Sequence, residues 1–241
     1  MPFLPNKERI SAGYWLAGLL LITVLLQLLP APDAAKGLAN YLPLHTFMEI
    51  LSIAMAGMVF SISWVTQKYS RNGRALLLGI GFLGVAVLDA SHALSYQGMP
   101  DFVTPSDPEK AINFWLAARG LGALVLLWAA LWPTAWNDWL NRRWGGWGLL
   151  MVAAIVAGIH YVLLWHPELL PRTFIQGSGL TDLKIQAEYV LVGIYIAAAI
   201  GLFVFHRHEP GAVYLALAAA VFAIGEYFFT LYANVTDVYN M

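Results

Sequence analysis

The chain has 241 residues, 60% of them hydrophobic and only 11% charged, where soluble proteins carry about 25%. A formal net charge of −1 supplies no basic field for nucleic acid, and the absence of cysteine excludes disulfides, thiolate metal sites and cysteine-ligated clusters. Lipid is therefore the expected solvent for most of the surface.

A membrane span needs about 20 mostly apolar residues. That rule predicts seven spans over residues 12–29, 44–66, 74–94, 111–132, 147–166, 184–205 and 211–233. Runs such as ALLLGIGFLGVAVL do not alternate as barrel strands do, so the fold class is all-α, a single polytopic helix bundle over residues 1–241. The first run is longer than a signal-peptide core and reads as a retained helix. The connecting segments PAPDAAKG, SRNGR, GMPDFVTPSDPEK, LNRRWGG, HPELLPRTFIQGSGLTD and HRHEPG carry turn chemistry. Trp132, Trp136, Trp139, Trp144 and Trp147 crowd the fourth connection, where indoles suit the headgroup layer.

Basic residues set the orientation, because Lys and Arg accumulate in cytoplasmic loops. Lys7, Arg9, Lys68, Arg71, Arg74, Arg142, Arg143 and Arg207 fall on one side of seven alternating spans, and Lys36, Lys110, Arg172 and Lys184 on the other. The N-terminus is thus expected in the cytoplasm and Met241 outside.

Ionised side chains are costly in a membrane, so each buried one needs a partner and suggests a function. His45 and Glu49 share a face in the first two turns of the second span. Asp89 and His92, three apart in LDASHALSYQGM, share a face in the last two turns of the third, and Tyr96 continues it. Arg119 lies about two turns below the outer end of the fourth span. His160 sits near the outer end of the fifth, Glu188 early in the sixth, and Glu226 in the outer half of the seventh. All belong to the outer half of the bundle, and the inner halves are expected to be dry.

With histidines neutral, Glu49, Asp89, Glu188 and Glu226 face only Arg119, leaving three negative charges uncompensated. A bound cation, protonated carboxylates or histidines, or a water-filled pocket would each answer that imbalance. His45, Glu49, Asp89 and His92 offer two imidazoles and two carboxylates, suited to zinc, iron or manganese and diagnostic of none. Haem ligated by His45 and His92 is open on residue type alone. Pairing of Arg119 with Asp89 or Glu49 as a packing device is the plainer alternative. No lysine for a retinal Schiff base stands in the seventh span, and no phosphate-binding loop, nucleophile elbow or HExxH motif is present.

Set in order, NYLPLHTFMEILSIAM, LDASHALSYQGM, FWLAARGL and the terminal LYANVTDVYNM make the chain resemble the bacterial membrane-associated sensor domains of class three, from about Asn40 to Met241. The resemblance implies signal input rather than catalysis, in front of a cytoplasmic histidine kinase or diguanylate cyclase in the bacterial inner membrane. It implies an eighth span and an output module beyond Met241, and a homodimer, since such outputs commonly work as dimers. Its motif positions are His45, Glu49, Asp89, His92, Tyr96, Trp115 and Arg119. With Glu226 added on depth, these are the expected ligand-binding residues for a small ligand or metal arriving from the outer side. A transporter or proton conductor is the competing reading, because buried carboxylates and histidines also form relays.

Overall fold

The computed structural model describes residues 6–28, 40–70, 72–133, 136, 143–206, 208–209, 211–231 and 236–237. Helices α1 (Asn6–Leu28), α2 (Tyr41–Ser70), α3 (Gly73–Ser95), α4 (Pro108–Leu131), α5 (Arg143–Trp165), α6 (Asp182–Phe205) and α7 (Ala212–Phe228) make an all-α membrane bundle. Helices α2 to α6 each contain an apolar stretch long enough to cross a bilayer, and among the described residues the apolar parts of α1 and α7 cover Ile10–Leu25 and Ala212–Phe228. A two-residue antiparallel hairpin, β1 (Phe174–Ile175) with β2 (Gly179–Leu180), interrupts the connection between α5 and α6. Gly177 and Gly179 supply the positive φ angles, 87° and 86°, that this turn needs.

Helix starts follow local chemistry. Asn72, Asp107 and Thr181 each accept a hydrogen bond from the backbone N–H three residues on, capping α3, α4 and α6. Pro43 falls in the first turn of α2, where its missing N–H costs no intrahelical bond. The expected second span therefore begins a turn early, and Tyr41 joins the face of His45 and Glu49. The seventh ends early instead: α7 stops at Phe228 rather than near residue 233. The Phe229 carbonyl accepts from the Lys184 ammonium at 2.8 Å, so a buried cation takes up a group that the helix end leaves free.

Packing runs α2 against α3, α3 against α4, α4 against α6, α6 against α7 and α7 against α1, with α5 on the other side of α3. Helix α3 is central: 67% of its apolar window is buried, against 11% for α2. The outer face of α2 presents Phe47, Met48, Ile50, Met55 and Ile62, an apolar surface suited to lipid. Glycines let α3 approach its neighbours. A Cβ on Gly81 would stand 2.4 Å from Val125 Cγ2, and one on Gly84 2.7 Å from Val152 Cγ1. One core joins α4, α6 and α7 through Ala123, Leu126, Ala198, Leu202 and Ala219; another joins α3, α4 and α5 through Leu88, Phe114, Ala118 and Val156.

The structure corrects two expectations. The inner end is not dry: Gln67, Arg74 and His206 are buried there. Arg74 donates to Glu209, His206 Nδ1 meets Glu209 Oε1 at 2.7 Å, and His206 Nε2–H donates to the Ala130 carbonyl at 3.0 Å. Arg74, counted above for orientation, thus serves as a buried tie. Lys184, expected in the outer connection, is 1% exposed inside the bundle, because its stem follows the buried face of α6 to Glu188. Of the tryptophan group, Trp136 and Trp147 are exposed and Trp132 is buried. The side chains of Trp139 and Trp144 lie outside the described residues.

Gly84→Ala should lower the unfolding midpoint in detergent or nanodiscs by the equivalent of about 1–3 kcal/mol, because Val152 and Leu121 must move aside. Gly57→Ala in α2, where an added Cβ would meet nothing within 4 Å, should be neutral or stabilising through helix propensity.

Candidate functional site

Five helices bring their polar side chains together at the end that the basic residues assign to the outer surface. On α2, Tyr41, His45 and Glu49 recur every four residues and so stand on one face, and all three are buried. Helix α3 contributes Asp89 and His92, with Tyr96 directly after it. Helix α4 adds Trp115 and Arg119, α6 adds Lys184 and Glu188, and α7 adds Glu226.

Asp89 and Arg119 form the central ion pair. Arg119 Nη2 donates to Asp89 Oδ1 at 2.9 Å and Oδ2 at 3.0 Å, with Asp89 fully buried and Arg119 6% exposed. The guanidinium carbon lies 4.1 Å from the Trp115 ring centre, a cation–π contact within one turn of α4. Tyr195 OH on α6 donates to the Arg119 carbonyl at 3.0 Å, so the α4 turn that carries the arginine is held from both sides.

The two histidines meet Glu49. His45 Nε2 stands 3.8 Å and His92 Nε2 4.0 Å from Glu49 Oε1. His92 Nδ1–H donates to the Ala111 carbonyl at 2.7 Å, which fixes the tautomer and leaves the Nε2 lone pair turned toward Glu49. The imidazoles belong to a set of packed rings. His45 lies 4.4 Å from Tyr96 and 5.4 Å from His92, His92 lies 5.3 Å from Trp115, and Trp115 lies 4.5 Å from Phe229. Tyr41 stacks on His45 and Tyr96. Met99, Phe174 and Leu180 pack over Tyr41 and Tyr96 and close the outer side. Lys110 organises the preceding connection by donating to the carbonyls of Phe102 and Thr104 around Val103, whose φ is 64°.

The second polar group lies toward α6 and α7. Lys184 Nζ is 2.8 Å from Glu188 Oε1, and Glu188 and Glu226 are both buried. Lys184 was absent from the expected site, and its i, i+4 spacing from Glu188 is the sequence signal that marks it. With it, two cations rather than one oppose four carboxylates. Tyr41, Tyr195 and Phe229 also belong to the site; of these, Tyr41 was legible from its spacing four residues before His45. His160 lies to one side, its Nδ1–H donating to Val156 and its Nε2 2.7 Å from Ser91 Oγ.

Among the described residues, the group able to hold a metal is His45, Glu49 and His92, whose ligating atoms all lie within 4.8 Å of one another. Asp89, placed with them on sequence grounds, has both oxygens engaged by Arg119. Ion pairs aside, seven buried polar atoms of this region lack any hydrogen-bond partner among the described residues: His45 Nδ1, Glu49 Oε2, Trp115 Nε1, Arg119 Nε, Glu188 Oε1, Glu188 Oε2 and Glu226 Oε2. Buried polar atoms are nearly always satisfied, so such a concentration marks a place where water, an ion or a ligand belongs.

A profile of the membrane-associated sensor domain, MASE3, matches residues 37–241 and so spans every element that builds this chamber. The chain belongs to the membrane-associated sensor domain family. Its role is therefore sensor input from within a membrane. The sensor domain shows no significant match to a curated protein or to a solved structure.

Because Asp89 is buried against Arg119, Arg119→Ala should destabilise the sensor domain by about 3–5 kcal/mol by leaving the carboxylate without its partner. Adding Asp89→Asn to that variant should recover part of the loss, measured by thermal unfolding in nanodiscs.

Proposed function

We propose that the sensor domain detects a small ligand or metal ion from the extracytoplasmic side, bound in the chamber formed by His45, Glu49, His92, Tyr96, Trp115, Arg119 and Glu226. The observation that carries this reading is the set of buried, unpartnered polar atoms on α2, α4, α6 and α7. Packing alone gives no reason to bury His45 Nδ1, Glu49 Oε2 and Trp115 Nε1 without partners, whereas Asp89 and Arg119 satisfy each other and hold the walls together. An open basin of about 710 Å³, lined by Gln97, Asp107, Glu109, Arg172, Phe174 and Gln176 among others, shares Phe174 with the roof of the chamber and offers an approach from outside.

The chain sits in the bacterial inner membrane with its N-terminus in the cytoplasm, and its output is a histidine kinase or diguanylate cyclase that works as a homodimer. Occupancy shifts the output only if the bound and empty arrangements of α2, α3 and α4 differ in ligand affinity. Helix α3 supplies a rigid link, running from His92 in the chamber to Arg74 in the inner cluster with Glu209 and His206.

In the full-length protein, His92→Ala and Glu49→Gln should each abolish the regulated change in kinase or cyclase output while membrane insertion, checked by fractionation, stays intact. Unchanged regulation in both variants would remove the chamber as the sensing site. Proteoliposomes carrying the chain should move protons no faster than empty vesicles, since robust flux would favour transport instead.

A further inference from the structure

We propose that His45, Glu49 and His92 form a site for one divalent transition-metal ion of the zinc and copper kind, held by two imidazoles and one carboxylate. The inference deepens the sensor reading and rests on it for biological purpose, while the coordination geometry stands on the side chains alone.

Glu49 Oε1 lies 3.8 Å from His45 Nε2 and 4.0 Å from His92 Nε2. Three ligands at about 2.0–2.1 Å around one ion in a plane are separated by about 3.5 Å. All three ligating atoms lie within 4.8 Å of one another, so movements of roughly an ångström would close the set. His45 and Glu49 lie one turn apart on α2, and His92 reaches them from α3, so the ion would join the two helices at their outer ends.

The donor chemistry agrees with that geometry. Metal-ligating histidines usually donate their other ring N–H to a carbonyl or carboxylate, which holds the ring and its tautomer. His92 has that arrangement, through Nδ1–H and the Ala111 carbonyl. Neither of the contacts from Glu49 Oε1 to the imidazoles is short enough for a hydrogen bond, and Glu49 Oε2 has no partner among the described residues. His45 is 4% exposed, His92 5% and Glu49 8%, so bulk water does not solvate the three. Two nitrogens and one oxygen suit zinc, copper or cobalt better than the oxygen-seeking magnesium or calcium.

The charge of the region is compatible with a divalent ion. Glu49, Asp89, Glu188 and Glu226 oppose Arg119 and Lys184 in the same buried region, which leaves an excess of two negative charges when all are ionised. Asp89 is matched by Arg119 and Glu188 by Lys184. An ion of charge two beside Glu49 makes the region neutral. Three protein ligands also leave a position for an exchangeable group, as in open rather than closed zinc sites, and exchange suits a sensor.

The test uses the full chain, purified without a histidine tag in nanodiscs and titrated with Co²⁺ and then Zn²⁺. One Co²⁺ per chain should bind with visible ligand-field absorption, be displaced by Zn²⁺, and raise the unfolding temperature with rising metal concentration. His45→Ala and His92→Ala should each weaken binding by about 100-fold or more, since even outer partners of such ligands contribute 10–100-fold. Glu49→Asp should retain binding with a shifted absorption band, and His166→Ala, on the exposed connection after α5, should bind as the parent does. Absence of stoichiometric Co²⁺ and Zn²⁺ binding by the folded chain would overturn the inference, as would binding unchanged in both histidine variants. Metal binding together with normal regulation in full-length His92→Ala would keep the ion and reject the sensor role of the chamber. Absence of metal binding together with lost regulation in that variant would do the reverse.

Discussion

The bundle depends on the pairing of Asp89 with Arg119. An ionised carboxylate and a guanidinium in an apolar interior carry a desolvation cost of several kcal/mol each, and only close geometry with further contacts offsets it. Here the pair is bidentate at the carboxylate, the guanidinium lies over Trp115, and Tyr195 holds the backbone of the same turn. The pair therefore joins α3 to α4 and draws in α6, and the neighbouring polar groups take positions around it.

That arrangement separates the polar region into two parts with different chemistry. Toward α6 and α7, Lys184 pairs with Glu188 and donates to the Phe229 carbonyl, while, that ion pair aside, Glu188 Oε1 and Oε2 and Glu226 Oε2 have no hydrogen-bond partner among the described residues. Toward α2, the histidines and Glu49 are close without bonding to one another, under a roof of Tyr41, Tyr96, Phe174 and Leu180. The lysine of the first part ties α6 to the end of α7, and the second part offers two imidazoles and a carboxylate whose ligating atoms lie within 4.8 Å of one another. Helix α2 carries His45 and Glu49 and is the least enclosed of the five long apolar spans, so a change there meets less packing resistance than a change in α3.

Both ends of α3 are tied by ionic contacts, Arg74 to the half-buried Glu209 at one end and the buried Asp89 to Arg119 at the other. Between them the helix passes its neighbours through Gly81 and Gly84, where side chains of α4 and α5 fill the space a Cβ would need. Such close contact transmits displacement along the helix instead of absorbing it, because packed interiors deform little. A link of this kind between an outer chamber and an inner polar cluster fits a domain of sensor input.

Much was legible in the chain itself. Long apolar runs marked the helices, helical spacing put His45 with Glu49 and Asp89 with His92, and the cost of buried charge singled out Arg119 and Glu226. Those properties are local, set by hydropathy and by 3.6 residues per turn. Which charges face one another is not local. Only the tertiary structure assigned Asp89 to Arg119 rather than to the histidines, drew Lys184 inside, ended α7 at Phe228, and buried Arg74 and His206 at the inner end. Each outcome depends on which helices are neighbours and how they are rotated, and hydropathy is nearly blind to rotation where a helix is apolar on every side.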